Sequence, residues 1–201
     1  MDVKKIVICI SGMAGSGKST LAKRIAERYK LNYFSGGDAL KQLAMERGYK
    51  PKGNGWWESD EGLKFLEERE KDKNFDKEVD ERMLEMANIG GVVLDSWTMP
   101  WLFKGEAFKI WLKASLEVRA KRAAIRDSME VENIIKIIKD KDERTRRIYK
   151  ELYGFDFGGD LSPFDMVLST DKFDPDQVYE IVSKAVDFYI KSFQFTDNKG
   201  K

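Results

Sequence analysis

The feature that most constrains this chain is the segment GMAGSGKS at residues 12–19. It fits the spacing G-x-x-x-x-G-K-[ST], follows the apolar run KKIVICIS at residues 4–11, and precedes apolar residues at helical spacing between Lys18 and Tyr29. The glycines leave backbone N–H groups bare, and the start of the following helix adds partial positive charge. A strand, a bare loop and a helix in this order predict a binding site for the phosphates of a nucleoside triphosphate.

Each position in this loop has a predicted role. Lys18 is expected to neutralise the β- and γ-phosphates, and the Ser19 hydroxyl to coordinate a Mg²⁺ ion that bridges them. The alternative is a glycine-rich turn with a solvated lysine, which does not explain the strand and helix on either side. The residues predicted to hold the triphosphate are Gly12, Met13, Ala14, Gly15, Ser16, Gly17, Lys18, Ser19 and Thr20.

Composition excludes several other chemistries. The chain has 201 residues, a formal net charge of +1, no histidine and a single cysteine, Cys9. Histidine-dependent nucleophiles, histidine-ligated metals, intrachain disulfides and thiolate zinc sites are therefore excluded. The balanced charge favours neither nucleic acid nor an anionic membrane, and the run Ile6–Ile10 is far shorter than the roughly 20 residues that span a bilayer. We expect a cytoplasmic protein with no nucleic-acid or membrane partner.

The hydrophobic pattern predicts one α/β domain with three layers. Short, continuously apolar segments are typical of parallel strands buried on both faces, and amphipathic segments between them are typical of covering helices. Five strands are predicted, at residues 4–11, 31–35, 92–95, 108–112 and 166–169. Helices are predicted at residues 18–29, 38–47, 61–69, 75–87, 116–126 and 131–152, and from Asp174 onward.

Two charged stretches with few strand-like segments interrupt this pattern. Residues 38–88 and 127–158 are predicted to be flaps on a core made of residues 1–37, 89–126 and 159–195. The polar residues 196–201 are predicted to form a disordered tail. The whole of residues 1–195 is therefore expected to be a single domain.

Together these segments resemble the nucleoside monophosphate kinases, most closely the archaeal type of cytidylate kinase. The resemblance implies the P-loop NTPase fold and transfer of the γ-phosphoryl group of ATP to a nucleoside monophosphate, most closely CMP or dCMP, with Mg²⁺ as cofactor. It also implies a monomer in which residues 38–88 bind the monophosphate and residues 127–158 form a lid. The matching segments are ISGMAGSGKSTLAKRIAE, NYFSGGDALKQLAMERG, FDKEVDERMLEMA, IWLKASLEVRAKR, YKELYGFDF and DLSPFDMVLSTDKFDP.

The same resemblance implies catalytic roles for several arginines in the second half of the chain. In this family, lid arginines contact the triphosphate and the transferring group. Arg122, Arg126, Arg144 and Arg146 are therefore the catalytic candidates beside Lys18. For each arginine the alternative is a solvated helix face that pairs with neighbouring carboxylates.

Three residues near the predicted strand ends are assigned to the acceptor and the metal. Asp38 resembles an acid that accepts the acceptor's hydroxyl or positions Mg²⁺-bound water, but a carboxylate in a first helical turn is equally explained by the helix dipole. Ser35 matches a serine of the acceptor pocket. Asp95 ends the third strand and, with Ser19, is predicted to order Mg²⁺ and bound substrate; a turn-capping carboxylate is its alternative.

Two positions depart from the family pattern. Lys41 stands where an arginine usually grips the acceptor phosphate, and lysine lacks the bidentate geometry of arginine. Trp97 stands where another arginine usually clamps the monophosphate, and an indole stacks on a base but cannot pair with a phosphate. Either the acceptor differs from CMP or it binds in another register. Trp56 and Trp57 are interpreted as flap core or as a partner-contact patch.

These departures keep a second class of function open. It is an ATP-hydrolysing assembly or regulatory factor on a kinase-like fold, acting with a protein or ribonucleoprotein partner. A strong CMP-dependent rate distinguishes the kinase from this alternative. ATP hydrolysis that needs no acceptor and is stimulated by a partner indicates the assembly factor.

Overall fold

The structure is a computed structural model that describes residues 6–53 and 55–197. Its strands are β1 (Val7–Gly12), β2 (Asn32–Ser35), β3 (Val92–Asp95), β4 (Phe108–Lys113) and β5 (Met166–Ser169). Its helices are α1 (Lys18–Tyr29), α2 (Gly36–Glu46), α3 (Asp60–Lys71), α4 (Asn74–Ile89), α5 (Met99–Leu102), α6 (Leu116–Asp127), α7 (Val131–Tyr153) and α8 (Pro175–Asp197). A 3₁₀ helix (Gly55–Glu58) lies between α2 and α3.

The five strands form one parallel sheet in the order β2-β3-β1-β4-β5. The chain builds β2 and β3 on one side of β1 before it builds β4 and β5 on the other. In register, Ile10 of β1 lies opposite Asp95 of β3 and Ile110 of β4. The carboxyl end of β1 is therefore the point from which connections leave in both directions, where open α/β sheets bind their ligands.

Helices cover both faces of the sheet because alternate strand residues point to opposite sides. On one face, Ile8 and Ile10 pack with α1 and α8; on the other, Val7 and Cys9 pack with α2, α4 and α5. Cys9 has no solvent exposure, and this burial raises the pKa of its thiol to about 12. The predicted three-layer α/β fold is confirmed.

The element boundaries agree with the predicted ones to within a few residues, with three differences. The 3₁₀ helix and the four-residue α5 were not predicted, because such short segments carry no periodic pattern. Helix α2 begins at Gly36, two residues early, because the Ser35 hydroxyl caps it by accepting from the Asp38 N–H at 3.2 Å. Residues 4 and 5 of the first predicted strand lie outside the described residues.

The end of the chain also differs from expectation. Helix α8 begins where Asp174 accepts hydrogen bonds from the N–H groups of Asp176 and Gln177, as its predicted cap requires. It continues through Asp197, so residues 196 and 197 are helical rather than part of a disordered tail. Residues 198–201 lie outside the described range, within which no helix has the length and hydropathy to cross a membrane.

The two predicted flaps pack closely on the core. Within residues 38–88, helices α2 and α4 share a hydrophobic cluster with β1 and β3, and the buried Trp56 belongs to it. In the second flap, Ile134 and Ile138 of α7 pack on α6. Further along α7, Tyr149 joins an aromatic cluster with Trp111 of β4. Both flaps therefore reach the carboxyl end of the sheet.

Candidate active site

A cavity of about 750 Å³ lies at the carboxyl ends of β1, β2 and β3. One end is formed by the glycine-rich loop and by the residues after β5. The other is formed by α3, α4 and α7, with α2 between them. The predicted site residues that line it are Ala14, Gly15, Ser16, Gly17, Lys18, Ser19, Thr20, Ser35, Asp38, Lys41, Asp95, Trp97, Arg122 and Arg126.

The glycine-rich loop has the conformation that phosphate binding requires. A Cβ on Gly12 would lie 2.4 Å from the Leu112 carbonyl oxygen, so no larger residue fits beside β4. Gly17 has a φ of 97°, and α1 begins at the next residue with its N-terminus toward the cavity. The buried Ser16 hydroxyl has no hydrogen-bond partner in the described part of the chain. An anion with several acceptor oxygens fits these donors.

Lys18 lies between the loop and the aromatic wall of the cavity. Its Nζ donates to the Met13 carbonyl oxygen at 3.1 Å and stands 5.7 Å from the centre of the Trp97 ring. Desolvation lowers the pKa of Lys18, while the charge of Asp95 opposes this shift. Gly12 and Met13 do not face the cavity themselves: they position the loop and supply this carbonyl.

Ser19 and Asp95, the two predicted metal ligands, are in direct contact. The Ser19 hydroxyl donates to Asp95 Oδ2 at 2.5 Å, and the Tyr33 hydroxyl donates to the same oxygen at 3.2 Å. Hydroxyl and carboxylate oxygens are ligands that Mg²⁺ prefers. No cluster of three or more acidic or thiol side chains suited to a metal occurs in residues 6–53 and 55–197. These two side chains would therefore fit a Mg²⁺ ion, which prefers such oxygen ligands.

Two of the four candidate arginines reach the cavity from α6. Arg122 donates to the Thr170 carbonyl at 2.8 Å and to its hydroxyl at 3.0 Å, which places it beside the loop after β5. Arg126 donates to Glu58 at 2.8 Å, and the buried Lys141 of α7 pairs with the same carboxylate. Glu58, a residue of the first flap, therefore pairs with two cations at the cavity wall.

The other two arginines do not line the cavity. Arg144 pairs with Glu70 of α3 at 2.6 Å and with Asp140 at 3.3 Å, and Arg146 donates to the Phe157 carbonyl at 3.2 Å. The cause is helical spacing: the face of α7 toward the cavity consists of residues four apart. These residues are Lys141, Thr145 and Tyr149. In this structure Arg144 joins α7 to α3, whereas Arg146 bonds to a residue within its own predicted flap.

The predicted acceptor residues share the cavity with the loop. Ser35 caps α2, Asp38 lies in its first turn, and Lys41 donates to the Gly53 carbonyl at 3.0 Å. Trp97 is half-buried, with its ring centre 5.8 Å from that of Phe157. Trp57 lines the cavity but also packs into the first flap, 4.9 Å from Trp56, so the interpretation as flap core agrees with their packing.

Several polar residues of the cavity were not predicted. Arg69 of α3 forms a buried pair with Asp76 of α4, and Asp80 accepts hydrogen bonds from Thr98 and Tyr153. Burial raises the pKa of Asp80 to about 6. Asp76 and Asp80 are four residues apart in the quoted segment FDKEVDERMLEMA, a spacing that could have placed both on one helix face. For Arg69, one charged residue among many in α3, no such signal exists.

Arg119 of α6 was also missed. It is 6% exposed, donates to the Ala14 carbonyl at 3.1 Å, and pairs with Asp142 of α7 at 2.7 Å. It thereby joins the glycine-rich loop to α7. The sequence does carry a signal for it, because Arg119 lies three residues before Arg122 and therefore on the same face of α6.

A three-layer parallel sheet with this loop after its central strand, and with a cavity that extends from the loop to the first predicted flap, defines a small P-loop kinase. Residues 7–172 match the model of the Cytidylate kinase-like family, and the chain belongs to that family. The cytidylate kinase of Pyrococcus horikoshii is 37% identical over 187 residues, which are 93% of this chain and 91% of that protein. The cytidylate kinase of Methanocaldococcus jannaschii is 34% identical over 186 residues, 90% of this chain and 98% of that protein.

Solved structures of lower sequence identity also support the fold. A shikimate kinase from Bacteroides thetaiotaomicron has a TM-score of 0.55 at 17% identity, covering 92% of this chain and 98% of that one. A shikimate kinase from Acinetobacter baumannii in complex with shikimate also has a TM-score of 0.55, at 15% identity, covering 93% and 94%. At such low identity the likeness concerns the architecture alone.

Proposed function

We propose that this protein transfers the γ-phosphoryl group of ATP to CMP or dCMP. The observation that carries the proposal is one cavity that holds both the phosphate loop and the acceptor residues Ser35, Asp38 and Lys41. Membership of the Cytidylate kinase-like family and the names of the similar proteins support CMP as acceptor. The same findings favour a kinase over an ATP-hydrolysing assembly factor.

In the proposed mechanism, positioning and charge do most of the work. The loop N–H groups and Lys18 bind the β- and γ-phosphates, and Arg122 and Arg126 add positive charge where negative charge grows during transfer. Mg²⁺, when bound, neutralises phosphate charge. Ser19 and Asp95 are the residues that would hold it.

Residues at the opposite end of the cavity are proposed to bind the acceptor. Lys41 supplies the positive charge for the acceptor phosphate, and Ser35 donates a hydrogen bond to it. Asp38 accepts a hydrogen bond from the acceptor or from Mg²⁺-bound water. Trp97, which occupies the place of the usual arginine, provides a flat surface for the nucleoside instead of a phosphate contact.

The flaps are proposed to rearrange when substrates bind. Glu58 forms ion pairs with Arg126 and Lys141. These two cations must therefore release the Glu58 carboxylate before they can bind phosphate oxygens. Residues 38–88 would act as the acceptor flap and residues 127–158 as the lid. A monomer in the cytoplasm remains the expected form, and light scattering after gel filtration tests the monomer.

A coupled assay of ADP release tests the proposal. We expect turnover with ATP and Mg²⁺ when CMP or dCMP is added, and little with UMP, AMP or GMP. Stabilisation by each nucleotide, measured as a rise in Tm, reports binding independently of turnover. Absence of ADP release with every monophosphate would contradict the proposed activity.

A further inference from the structure

A carboxylate of the first flap neutralises two cations that line the cavity. Glu58 Oε2 accepts a hydrogen bond from Arg126 Nη2 at 2.8 Å, and Glu58 Oε1 accepts one from Lys141 Nζ. All three side chains line the cavity. Each oxygen of one anion thus binds its own cation, which is also how a phosphoryl group binds two basic side chains. Glu58 therefore occupies these cations in the way that a phosphate would.

Burial makes this pairing strong enough to compete with a ligand. Glu58 is 5% exposed and Lys141 is 7% exposed, so water and salt screen their attraction weakly. Burial of ion pairs costs desolvation free energy, so such a pair is weak evidence for a stabilising role alone. Arg126 also pairs with Asp127, and the four charged groups together have no formal net charge. A triphosphate therefore gains no net attraction from the two cations until Glu58 leaves them.

The position of Glu58 in the chain connects it to the acceptor residues. Glu58 ends the 3₁₀ helix of the first flap, and Trp57, the residue before it, lines the cavity. Lys41, which is proposed to bind the acceptor phosphate, donates to the carbonyl of Gly53, five residues before Glu58. An acceptor phosphate competes with that carbonyl for the lysine. Binding of the acceptor therefore changes the contacts of the part of the flap that carries Glu58.

We infer that Glu58 is an internal phosphate mimic that makes the cleavage of ATP depend on the acceptor. Without acceptor, Glu58 holds Arg126 and Lys141, and bound ATP lacks their charge at its γ-phosphate. When the acceptor binds, the first flap moves Glu58 away, and the two cations stabilise the negative charge of the transferring group. This inference rests on the proposed function and deepens it by naming the residue that favours the acceptor over water.

Water is the competing nucleophile in this reaction. In hydrolysis, the bond between the γ-phosphorus and the β,γ-bridging oxygen of ATP breaks, and a water oxygen forms the new bond to phosphorus. The water loses a proton, and ADP and inorganic phosphate are released. The same cations stabilise hydrolysis and transfer, because negative charge develops on the same oxygens. Pairing of the cations with Glu58 until the acceptor arrives therefore slows hydrolysis and permits transfer.

The test measures ATP binding and ATP hydrolysis without any acceptor. In Glu58→Gln, the affinity for ATP, measured by calorimetry, and the rate of phosphate release should each rise about tenfold, because an amide binds the two cations more weakly than a carboxylate does. In the Arg126→Gln background the same substitution should have a smaller effect, since one of the two cations is absent. A purely structural role for Glu58 does not predict this dependence. The matched control is Glu67→Gln, which changes an exposed carboxylate of α3 and should leave both quantities unchanged.

An unchanged or lower affinity for ATP in folded Glu58→Gln overturns the inference, as does an equally large effect in the Arg126→Gln background. If Glu58→Gln does not fold, Glu58→Asp and a structure of the wild type decide. Aspartate keeps the charge but is too short to reach both cations, so ATP affinity and hydrolysis should again rise.

In a structure of the wild type with a non-hydrolysable ATP analogue and CMP, Glu58 should lie apart from Arg126 and Lys141; persistence of both ion pairs overturns the inference. Neither ATP measurement needs an acceptor. A rise in both quantities in Glu58→Gln, with no transfer to any monophosphate, would therefore contradict the kinase activity but support this role of Glu58.

Discussion

The two ends of the cavity are built in different ways. At the phosphate end, one stretch of consecutive residues supplies the loop, whose glycines leave backbone N–H groups bare. At the opposite end, side chains from α3, α4, α7 and the segment after β3 meet, and the paired Arg69 and Asp76 come from different helices. One end therefore depends on backbone conformation, and the other on long side chains held by each other.

This difference has a consequence for substitution. A backbone donor survives most side-chain changes, so the phosphate end tolerates variation wherever glycine is not required. A side-chain pair changes its chemistry with one replacement. Lys41 and Trp97, the two positions predicted to depart from the family pattern, both line the cavity outside the loop. We infer that the loop preserves the reaction while the other end sets the acceptor.

The largest effect is expected at the one loop side chain that carries charge. Lys18→Ala removes the cation that neutralises the transferring phosphates, and kcat should fall at least about 10³-fold. The coupled assay with CMP measures this, with the exposed Lys184→Ala of α8 as the matched control. Near-normal turnover in Lys18→Ala would mean that the triphosphate binds elsewhere.

A smaller loss is expected at the proposed metal ligand. Asp95→Asn keeps an oxygen for the Ser19 hydroxyl but removes the negative charge, so kcat should fall about 10²-fold and the Mg²⁺ concentration for half-maximal rate should rise. A Mg²⁺ titration measures both. The exposed Glu132→Gln is the control; an unchanged Mg²⁺ requirement in Asp95→Asn argues that the metal has other ligands.

Substitution of two arginines compares a residue that lines the cavity with one that does not. Arg122→Gln should lower kcat/KM for ATP about tenfold, because it removes a cation beside the loop after β5. Arg146→Gln should change it less than about twofold, since that side chain donates to the Phe157 carbonyl outside the cavity. Steady-state kinetics with varied ATP compare the two. A larger loss in Arg146→Gln would support the role inferred from family resemblance and require a different lid position.

The smallest effect concerns stability at the acceptor end. The folded protein raises the pKa of Asp80 from 3.8 to about 6, so it binds this proton more tightly than the unfolded chain does. Asp80 therefore favours folding most below about pH 4, and this contribution falls as the pH rises to about 6. Between pH 4 and 7 the wild type should lose up to about 3 kcal/mol relative to Asp80→Asn. Urea unfolding at several pH values measures it; a constant difference between the two proteins contradicts the shift.

The same contrast explains what sequence alone could predict. The sheet, the order of its helices and the position of Lys18, Ser19 and Asp95 follow from contiguous patterns, because local spacing determines which groups the loop and the strand ends present. Arg69 could not be found in this way. Its importance depends on the packing of α3 against α4, which no local pattern in the EERE segment specifies. Nor could the sequence show that Arg144 and Arg146 lie away from the cavity, since the side of α7 that faces the cavity depends on how that helix packs.

The buried thiol in the middle strand offers a further use of this chain. Cys9 lies three residues before Gly12, is fully buried, and keeps its proton at neutral pH because burial raises the pKa of its thiol. An alkylating reagent can therefore modify it only when the central strand separates from its neighbours. The rate of labelling then measures how often the central strand opens. The decrease in this rate when a nucleotide is added measures how much that nucleotide stabilises the sheet.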